Sequence, residues 1–411
     1  MNSESVAIIG GGAAGFFCAI QLAEMRPDLS ITIFEQQKKV LAKVEISGGG
    51  RCNCTNSFRD VTDLGQVYPR GSKLLKKLFK QFGPRDAFKW FENHGVPLTI
   101  QEDQCVFPEA QDSHAIINCF LSEAQRLGIR IKLGSKVDDI EQLFNGGYDY
   151  VVVTVGGLAK SNASILGSSN ANPSEGGNAG SLFSIHPSIT ERVPSLFTFN
   201  IKDKALTELM GTVVENAIAS IPGTKFRSQA PLLITHWGMS GPAILKLSSH
   251  AALYLAERNY QSSLLINWTG ETNADAVRTH IIYIIEKNSQ KLIDNIHPFN
   301  LQSRLWLYLL QKAQLQGKRC GDIGKKGINK ITDLLTNDSY QISSRSHYKD
   351  EFVTCGGVAL DSVNRLTLES VHHPNLFFAG EVLDIDGVTG GFNFQAAWTT
   401  AYAVAKGIAD R

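Results

Sequence analysis

Residues 5–15 of the chain read SVAIIGGGAAG, a short apolar run that leads into a glycine-rich turn. The apolar run, Ser5 to Gly10, predicts a buried strand, and Ala14 to Met25 predicts a helix that ends before Pro27. Ile31 to Glu35 predicts a second strand. A strand, a helix and a strand of these lengths predict two adjacent parallel strands joined by a right-handed crossover. The fold class is therefore α/β, with a Rossmann-like domain at the start of the chain.

The glycines of this turn have the Gly-x-Gly-x-x-Gly spacing that is typical of dinucleotide-binding loops. Gly10 permits the tight turn, Gly12 lets the backbone approach a pyrophosphate, and Gly15 allows the helix and strand to pack closely. The first N–H groups of the helix then face the phosphates. Glu35 lies 20 residues after Gly15, where its carboxylate is expected to accept hydrogen bonds from the adenosine ribose. This pattern predicts an ADP-containing cofactor, which is either FAD or NAD.

Two further glycine-rich segments favour FAD. Ser47 to Asn53 (SGGGRCN) follows the second strand and offers a backbone that can lie flat against a flavin or a phosphate. Gly380 and Glu381 follow another predicted strand, and Gly390 to Asn393 precede a predicted helix that runs to Ala409. The N–H groups at the start of that helix are suited to stabilise negative charge near N1 and O2 of a reduced flavin.

Both ends of the chain are predicted to form one sheet that a long insertion interrupts. Before the insertion, residues 72–92 and 111–127 have helical patterning, and residues 130–140 predict a strand. Residues 193–269 contain short apolar runs separated by turns, and residues 272–338 have helical patterning. We predict a discontinuous FAD-binding domain at 1–192 and 350–411, an inserted β-rich domain at 193–270 and 340–349, and a helical subdomain at 271–339. Residues 161–180, rich in Ser, Asn, Gly and Ala, predict a long surface loop that is either a lid or a disordered segment.

Composition excludes several classes of protein. The 411 residues carry a formal net charge of +1, which argues against general nucleic-acid binding. No apolar stretch reaches the roughly 18 residues of a membrane-spanning helix, and no basic segment precedes an apolar run at the start, so we expect a cytoplasmic protein that does not bind membranes. The seven cysteines are scattered without a CxxC pair, which favours reduced thiols and predicts no metal site.

Four segments resemble the signature blocks of the BaiN-like flavoproteins, a family also described as aminoacetone-oxidase-like. They are GGGAAG, KVEISGGGRCNCTN, APLLITHWGMSGPAIL and AGEVLDIDGVTGGFNFQAAW, and the resemblance extends over nearly the whole chain. It implies an FAD-binding α/β fold with inserted β-barrel-like and helical subdomains. Some members of this family act as ribosomal RNA dihydrouridine synthases, and others act on bile acids or aminoacetone.

The cofactor-binding residues that we expect come from the motifs and from this resemblance. The ADP end would contact Gly10, Gly12, Ala13, Ala14, Gly15, Glu35, Gln36 and Val137, and the pyrophosphate and flavin would contact Lys43, Ser47, Gly48, Gly49, Gly50, Arg51, Cys52, Asn53, Gly156, Gly380, Glu381, Gly391, Phe392 and Asn393.

Two residues are candidates for catalysis. Arg51 would bind an anionic group or stabilise reduced flavin, or else form a structural ion pair. His236, within THWGMSGP, would donate a proton, or else cap a turn. Asp384 and Asp386 are expected to orient the glycine turn that follows them rather than face the substrate.

Three functions stay open. The first is hydride transfer between flavin N5 and a small organic substrate, with NAD(P)H binding transiently as reductant because no second Gly-x-Gly-x-x-Gly unit is present. The second is reduction of uridine in ribosomal RNA, to which two basic clusters, Lys73–Lys80 with Arg70 and Lys318–Lys330, are relevant unless they are merely solvated faces. The third is a non-catalytic flavin-binding protein. The oligomeric state is left open.

Overall fold

The computed structural model describes residues 4–157, 187–346 and 353–411. The chain divides into two compact units. The terminal unit consists of Met1–Val193 and Val353–Arg411, and the inserted unit consists of Pro194–Phe352. The predicted loop at 161–180 lies outside the described residues, and the domain boundaries drawn from the sequence stay a prediction.

The first part of the terminal unit contains seven strands and six α-helices among its described residues. In chain order they are β1 (Ser5–Ile9), α1 (Ala13–Met25), β2 (Ser30–Phe34), α2 (Ala42–Gly50), β3 (Thr55–Asn56), α3 (Ser72–Leu78), α4 (Pro84–Asn93), β4 (Leu98–Ile100), β5 (Cys105–Pro108), α5 (His114–Arg126), β6 (Arg130–Lys132), α6 (Glu141–Asn145) and β7 (Tyr150–Val153).

The chain then enters the inserted unit and later returns. The next elements are β8 (Val193–Ser195), β9 (Phe199–Ile201), α7 (Lys204–Thr207), β10 (Val213–Ser220), β11 (Arg227–Thr235), β12 (Gly238–Ser240), α8 (Pro242–His250), α9 (Ala252–Ala256), β13 (Ser262–Asn267), α10 (Ala274–Lys287), α11 (Ser303–Ala313), α12 (Lys325–Asn337) and β14 (Asp338–Arg345). The chain returns through β15 (Val353–Cys355), β16 (Leu376–Phe378) and α13 (Phe392–Ala409).

A five-stranded parallel sheet forms the centre of the terminal unit, in the order β16-β7-β1-β2-β6. Ile9 at the end of β1 is level with Phe34 of β2 and Val153 of β7, and Val153 is level with Phe378 of β16. The carboxyl ends of four strands therefore meet at one edge, which is where α/β sheets bind their ligands. The predicted fold class is confirmed.

The two ends of the chain pack together behind this sheet. The Phe17 ring of α1 lies 5.3 Å from the Trp398 ring of α13, and both rings are fully buried with Phe120 of α5. The Trp398 indole Nε1 donates to the Cys54 carbonyl at 2.7 Å, so its one polar atom is satisfied in the core. This packing holds the segments before α1 and before α13 in fixed relation.

The inserted unit contains a closed six-stranded antiparallel barrel in the order β10-β11-β12-β9-β14-β13, together with helices α10 to α12. Trp268, buried at the end of β13, donates through Nε1 to Asp338 Oδ2 at 3.0 Å. The Tyr340 hydroxyl donates to the same oxygen at 2.5 Å. The β-rich and then helical patterning of the sequence is confirmed, including the barrel that the family resemblance implied.

Two predicted elements differ from the structure. The strand predicted over residues 130–140 ends at Lys132, because Gly134 takes a left-handed turn with φ 61°. The helix predicted over residues 72–92 is interrupted before Pro84, whose ring disfavours a helical conformation in the residue before it. Among the described residues, no helix is long and apolar enough to cross a membrane.

Candidate cofactor-binding site

The start of α1 presents open backbone N–H groups. Gly12 is the residue before the first helical turn, with extended φ and ψ of −93° and −167°, and no described side chain caps this helix end. A Cβ added at Gly12 would meet no atom within 4 Å. The helix dipole and the unpaired N–H groups make this space suited to an anion.

Gly15 and Gly10, the other two glycines of the Gly-x-Gly-x-x-Gly motif, are required by close packing. A Cβ on Gly15 would lie 2.0 Å from the Gly10 carbonyl oxygen and 2.8 Å from Thr154 Oγ1. Gly10 has φ 110°, and a Cβ there would lie 2.5 Å from the Thr154 carbonyl oxygen. The Thr154 hydroxyl donates to the Gly10 carbonyl at 2.9 Å. The loop is thus fixed against the end of β7, leaving Gly12 as its open position.

Glu35 is held at the end of β2 by the backbone. Its Oε2 accepts from the Gly11 N–H at 2.9 Å, and its Oε1 accepts from the Gln37 N–H at 2.8 Å. A carboxylate has about four acceptor positions, so two stay available for donors such as ribose hydroxyls.

A cleft lies between the glycine loop and the ends of β2 and β6. It is lined by Ile9, Gly10, Phe34, Glu35, Gln36, Ser135, Lys136, Val137 and Val155. Val137 reaches the cleft because the chain turns back after β6, where the Ser135 N–H donates to the Glu35 carbonyl at 2.8 Å. The structure therefore brings Gly10, Glu35, Gln36 and Val137 together.

The segment Ser47–Asn53 unwinds at the end of α2. Gly48, Gly49 and Gly50 have φ values of 57°, 68° and 83°, a region that side-chain-bearing residues rarely adopt. A Cβ at Gly49 or Gly50 would face open space, whereas one at Gly48 would lie 2.8 Å from the Asn53 backbone nitrogen. The segment thus exposes a stretch of backbone without side chains.

Arg51 and Cys52 differ sharply in environment. The Arg51 guanidinium lies 4.3 Å above the Phe107 ring, and its Nη1 donates to Gln111 Oε1 at 3.3 Å. No carboxylate of the described residues lies within 4.0 Å of the guanidinium. Among these residues, Arg51 therefore has no partner for the structural ion pair that was its alternative role. Cys52 is buried, and burial raises the pKa of its thiol to about 12, which makes it a packed residue rather than a nucleophile.

The segment after β16 approaches the start of α1. Gly380 has φ 78°, and a Cβ there would lie 2.8 Å from the Ala14 Cβ. Glu381 Oε2 pairs with Lys43 Nζ at 3.1 Å, and its Oε1 accepts from the Thr354 N–H at 2.9 Å. Ala14, Gly380, Lys43 and Glu381, all predicted cofactor contacts, therefore lie close together.

The start of α13 is attached to the segment that follows α2. A Cβ on Gly391 would lie 2.1 Å from the Thr55 carbonyl oxygen. With its amide oriented to satisfy its neighbours, Asn53 accepts from the Gly391 N–H at 3.2 Å and donates to the Thr55 carbonyl at 2.9 Å. The Phe392 ring packs 5.1 Å from the Phe58 ring.

Asn393 has a role that the sequence did not indicate. Its Oδ1 accepts from the Gly387 N–H at 2.8 Å and its Nδ2 donates to the Gly387 carbonyl at 2.9 Å. The side chain thus closes the loop before α13, which leaves one amide hydrogen for any ligand.

A buried ion pair supports the same loop. Asp386 is fully buried and pairs with Arg70 through two hydrogen bonds, which agrees with the orienting role expected of Asp386. Arg70 is therefore bound to an acid rather than free in a basic cluster. Burial raises the pKa of Asp384, whose Oδ1 is buried without a hydrogen-bond partner among the described residues.

The other polar candidates lie elsewhere. His236 is exposed in the turn between β11 and β12 of the inserted unit, with its ring 4.2 Å from the Trp237 ring. Glu24, His94 and Glu123 place three potential metal ligands within 4.8 Å of one another. Arg126 already pairs with both carboxylates, at 3.5 Å from Glu24 and 2.5 Å from Glu123, so a cation occupies that position.

The parallel sheet, the glycine loop and the site assembled from both chain ends define a Rossmann-like dinucleotide-binding protein of the FAD-dependent oxidoreductase class. The chain belongs to the HI0933-like family, since the model "HI0933-like protein Rossmann domain" matches residues 4–407. The family resemblance inferred from the four sequence blocks is confirmed.

Three similar proteins match almost end to end. A protein of Haemophilus influenzae named "Ribosomal RNA dihydrouridine synthase" is 29% identical, covering 99% of this chain and 98% of the relative. One of the same name from Escherichia coli is 27% identical, with the same coverage. A "3-dehydro-bile acid delta(4,6)-reductase" of Clostridium scindens is 24% identical, covering 99% of both chains.

Proposed function

We propose that the terminal unit binds FAD with its ADP half over the glycine loop at the start of α1. The observation that carries this proposal is the open space at Gly12, on a helix end that no described side chain caps. A pyrophosphate in that space would accept hydrogen bonds from the first N–H groups of α1. Glu35 would bind the ribose hydroxyls, and Val137 would pack against the adenine within the cleft.

The flavin half would lie along the exposed backbone of Gly49 and Gly50 and the start of α13. Bound FAD supplies a hydride acceptor and donor at N5. The N–H groups that begin α13 would stabilise negative charge at the other side of the ring system. Gly391 is suited to this position because its backbone, pressed against Thr55, is held in place.

The proposed reaction is reduction of an organic substrate, with NAD(P)H as the hydride source and the bound flavin as the carrier of the hydride. Arg51 would hold an anionic group of the substrate, because its guanidinium has five N–H donors and no described carboxylate pairs with it. His236 stays a candidate proton donor, since it is exposed on its hairpin and accessible to a ligand.

The cofactor is tested by the visible spectrum of the purified protein. We expect a yellow wild type and a protein without flavin absorbance for Gly12→Val, because the added side chain would occupy the pyrophosphate space. Gly324→Val is the matched control. Gly324 also precedes a helix with extended backbone (φ −76°, ψ 174°), and a Cβ there also meets no atom within 4 Å. Equal flavin content in both variants would contradict the proposed ADP site.

Catalysis is tested by anaerobic mixing of the yellow protein with NADH or NADPH. We expect the oxidised-flavin absorbance to fall, and then to return when an oxidising substrate is added. A flavin that neither nicotinamide bleaches would refute NAD(P)H as the reductant.

A second candidate is reduction of uridine in ribosomal RNA, which the names of two relatives at 29% and 27% identity favour. In this reaction the C5–C6 double bond of uracil takes up a hydride and a proton, and NAD(P)H is oxidised. We expect ribosomal RNA to reoxidise the reduced flavin and to gain dihydrouridine, detectable as two added hydrogens by mass spectrometry. An unsaturated 3-oxo-steroid that reoxidises the flavin while RNA does not would favour small-molecule reduction instead.

A further inference from the structure

The charge of the chain is unevenly distributed between its two units. Residues 194–352 contain 18 Lys and Arg against 13 Asp and Glu, whereas the rest of the chain contains 22 against 26. The excess is concentrated further, because residues 278–330 contain 10 basic residues and only 3 acidic ones. The near-neutral total therefore conceals a basic region within the inserted unit.

The fold gathers these cations at one end of two helices. The Arg278 Nε on α10 donates to Asn329 Oδ1 on α12 at 3.1 Å. Beyond the end of α10, the Gly321 N–H donates to the Ser289 carbonyl at 2.9 Å. The two helices run antiparallel, because residue 278 contacts residue 329 whereas the later residue 289 contacts the earlier residue 321. The end of α10 therefore lies beside the start of α12.

Backbone pairing joins the segments that follow α10 and precede α12. The Ile293 N–H donates to the Lys318 carbonyl, and the Cys320 N–H donates to the Lys291 carbonyl, each at 2.9 Å. We define the basic surface as the six exposed cations on these segments and helix ends: Lys287, Lys291, Lys318, Arg319, Lys325 and Lys326.

The cations of the basic surface have no acidic partners. None of the six forms an ion pair within the described ranges, although Lys312 of the same unit pairs with Asp338. Asp294, an acid of the same stretch, accepts from the Gly317 N–H at 2.8 Å and so supports the connecting loop. Glu286 and Asp322, the other two acids of residues 278–330, are exposed and form no ion pair with any of the six. Six cations that outnumber these acids and are brought together by backbone contacts form an anion-binding surface rather than a network of ion pairs.

An exposed aromatic ring accompanies these charges. Tyr283 of α10 is 57% exposed, and Lys287 Nζ lies 5.6 Å from its ring centre. Cations that follow a phosphate backbone, combined with an aromatic ring on which a base stacks, are the usual means of binding single-stranded RNA. Anionic lipids also attract clusters of Lys and Arg, but only a nucleic acid supplies bases on which the exposed ring can stack.

We propose that the basic surface binds the phosphate backbone of a single-stranded segment of the RNA substrate, with Tyr283 stacking against a base. This proposal rests on the second function proposed above, the reduction of uridine in RNA. It assigns RNA binding to the inserted unit, whereas the cofactor lies in the terminal unit.

The test is binding of a fluorescein-labelled single-stranded ribosomal RNA fragment to the FAD-loaded protein, followed by fluorescence anisotropy at several KCl concentrations. We expect the double variant Lys325→Glu/Lys326→Glu to bind at least about tenfold more weakly at 0.1 M salt. The slope of log K against log[KCl] should decrease by roughly 1.4, since each single-strand phosphate contact contributes about 0.7. Tyr283→Ala should weaken binding without changing the slope.

The matched control is Lys225→Glu/Arg227→Glu, which changes the net charge of the same unit equally at two exposed positions at the turn between β10 and β11. Equal losses in both double variants, or a loss in neither, would overturn the proposal. Binding to phosphatidylglycerol vesicles without binding to RNA would also overturn it. Tight RNA binding with no dihydrouridine formed would refute RNA reduction but would still support RNA binding by the basic surface. An unchanged flavin spectrum in each variant would show that the terminal unit is folded.

Discussion

Replacing Gly15 with alanine tests whether close packing of α1 against the sheet positions the cofactor loop. The added Cβ would lie 2.0 Å from the Gly10 carbonyl oxygen and 2.8 Å from Thr154 Oγ1. The first of these atoms belongs to the backbone and cannot rotate away. To restore an ordinary van der Waals separation, α1 must move by roughly 1 Å relative to β1.

The expected cost follows from two opposing contributions. Overpacking a well-packed core usually costs about 1–3 kcal/mol, and a backbone clash belongs at the upper end of that range. Replacing glycine by alanine within a helix stabilises by about 1 kcal/mol. We therefore expect Gly15→Ala to lower the free energy of unfolding by about 2 kcal/mol. For a domain of this size the melting temperature should fall by about 4–8 °C.

The assay is thermal melting followed by circular dichroism, with the flavin content of each variant measured by absorbance. Gly12→Ala is the comparison, because its Cβ enters open space and a glycine-to-alanine change before a helix costs only about 0.5–1 kcal/mol. Gly15→Ala should lose stability, and Gly12→Ala should chiefly lose flavin. If both variants have the same melting temperature as the wild type, the close approach of α1 to the Gly10 carbonyl does not constrain the loop.

Three other changes have directions set by the structure. Asp386→Ala leaves the Arg70 guanidinium without its buried partner and should cost about 3–5 kcal/mol in urea unfolding, and adding Arg70→Leu should recover part of that loss. The hydrogen bond that His94 donates to the Glu24 carboxylate raises the pKa of His94. The stabilisation from this pair is therefore complete below the unfolded pKa of about 6.5 and is lost as pH rises through the higher folded pKa. The measurement is the difference in free energy of unfolding between the wild type and Glu24→Gln at pH 6 and at pH 8. If this difference is not smaller at pH 8, the expectation is contradicted. Cys52 should resist a thiol-specific chromogenic reagent at pH 8 until the protein unfolds, because burial raises the pKa of its thiol to about 12.

Local sequence was enough to predict the start of the fold. The strand, glycine turn and helix at residues 5–25 depend on contacts between near neighbours, and their predicted bounds agree with β1 and α1 to within a residue. The glycines at 48–50 were also predictable as a special backbone, because few other residues adopt their left-handed conformation. Patterns of this kind are visible in the chain itself.

Contacts between distant segments could not be predicted in the same way. The neighbours of Arg70 in sequence indicate a basic cluster, yet Arg70 pairs with Asp386, 316 residues away. The family resemblance implies that Val137 contacts the cofactor from a predicted strand, whereas a turn at Gly134 brings it to the cleft. The positions of Arg70 and Val137 therefore depend on the tertiary fold. Asn393 is expected to face the flavin, whereas its two hydrogen bonds join it to Gly387, six residues earlier. This contact is local, but it depends on the backbone conformation of the turn between them.

The basic surface illustrates why whole-chain charge is a weak argument about partners. A net charge of +1 argued against RNA, but that figure averages a terminal unit with excess acid and an inserted unit with excess base. Screening limits each unpaired charge to a range of about 8–10 Å at physiological salt, so a polyanion responds to the local surface rather than to the total. The relevant quantity is therefore the number of unpaired cations within one Debye length. In the segments around Leu292 and Arg319 that number is set by backbone pairing between residues more than 20 positions apart.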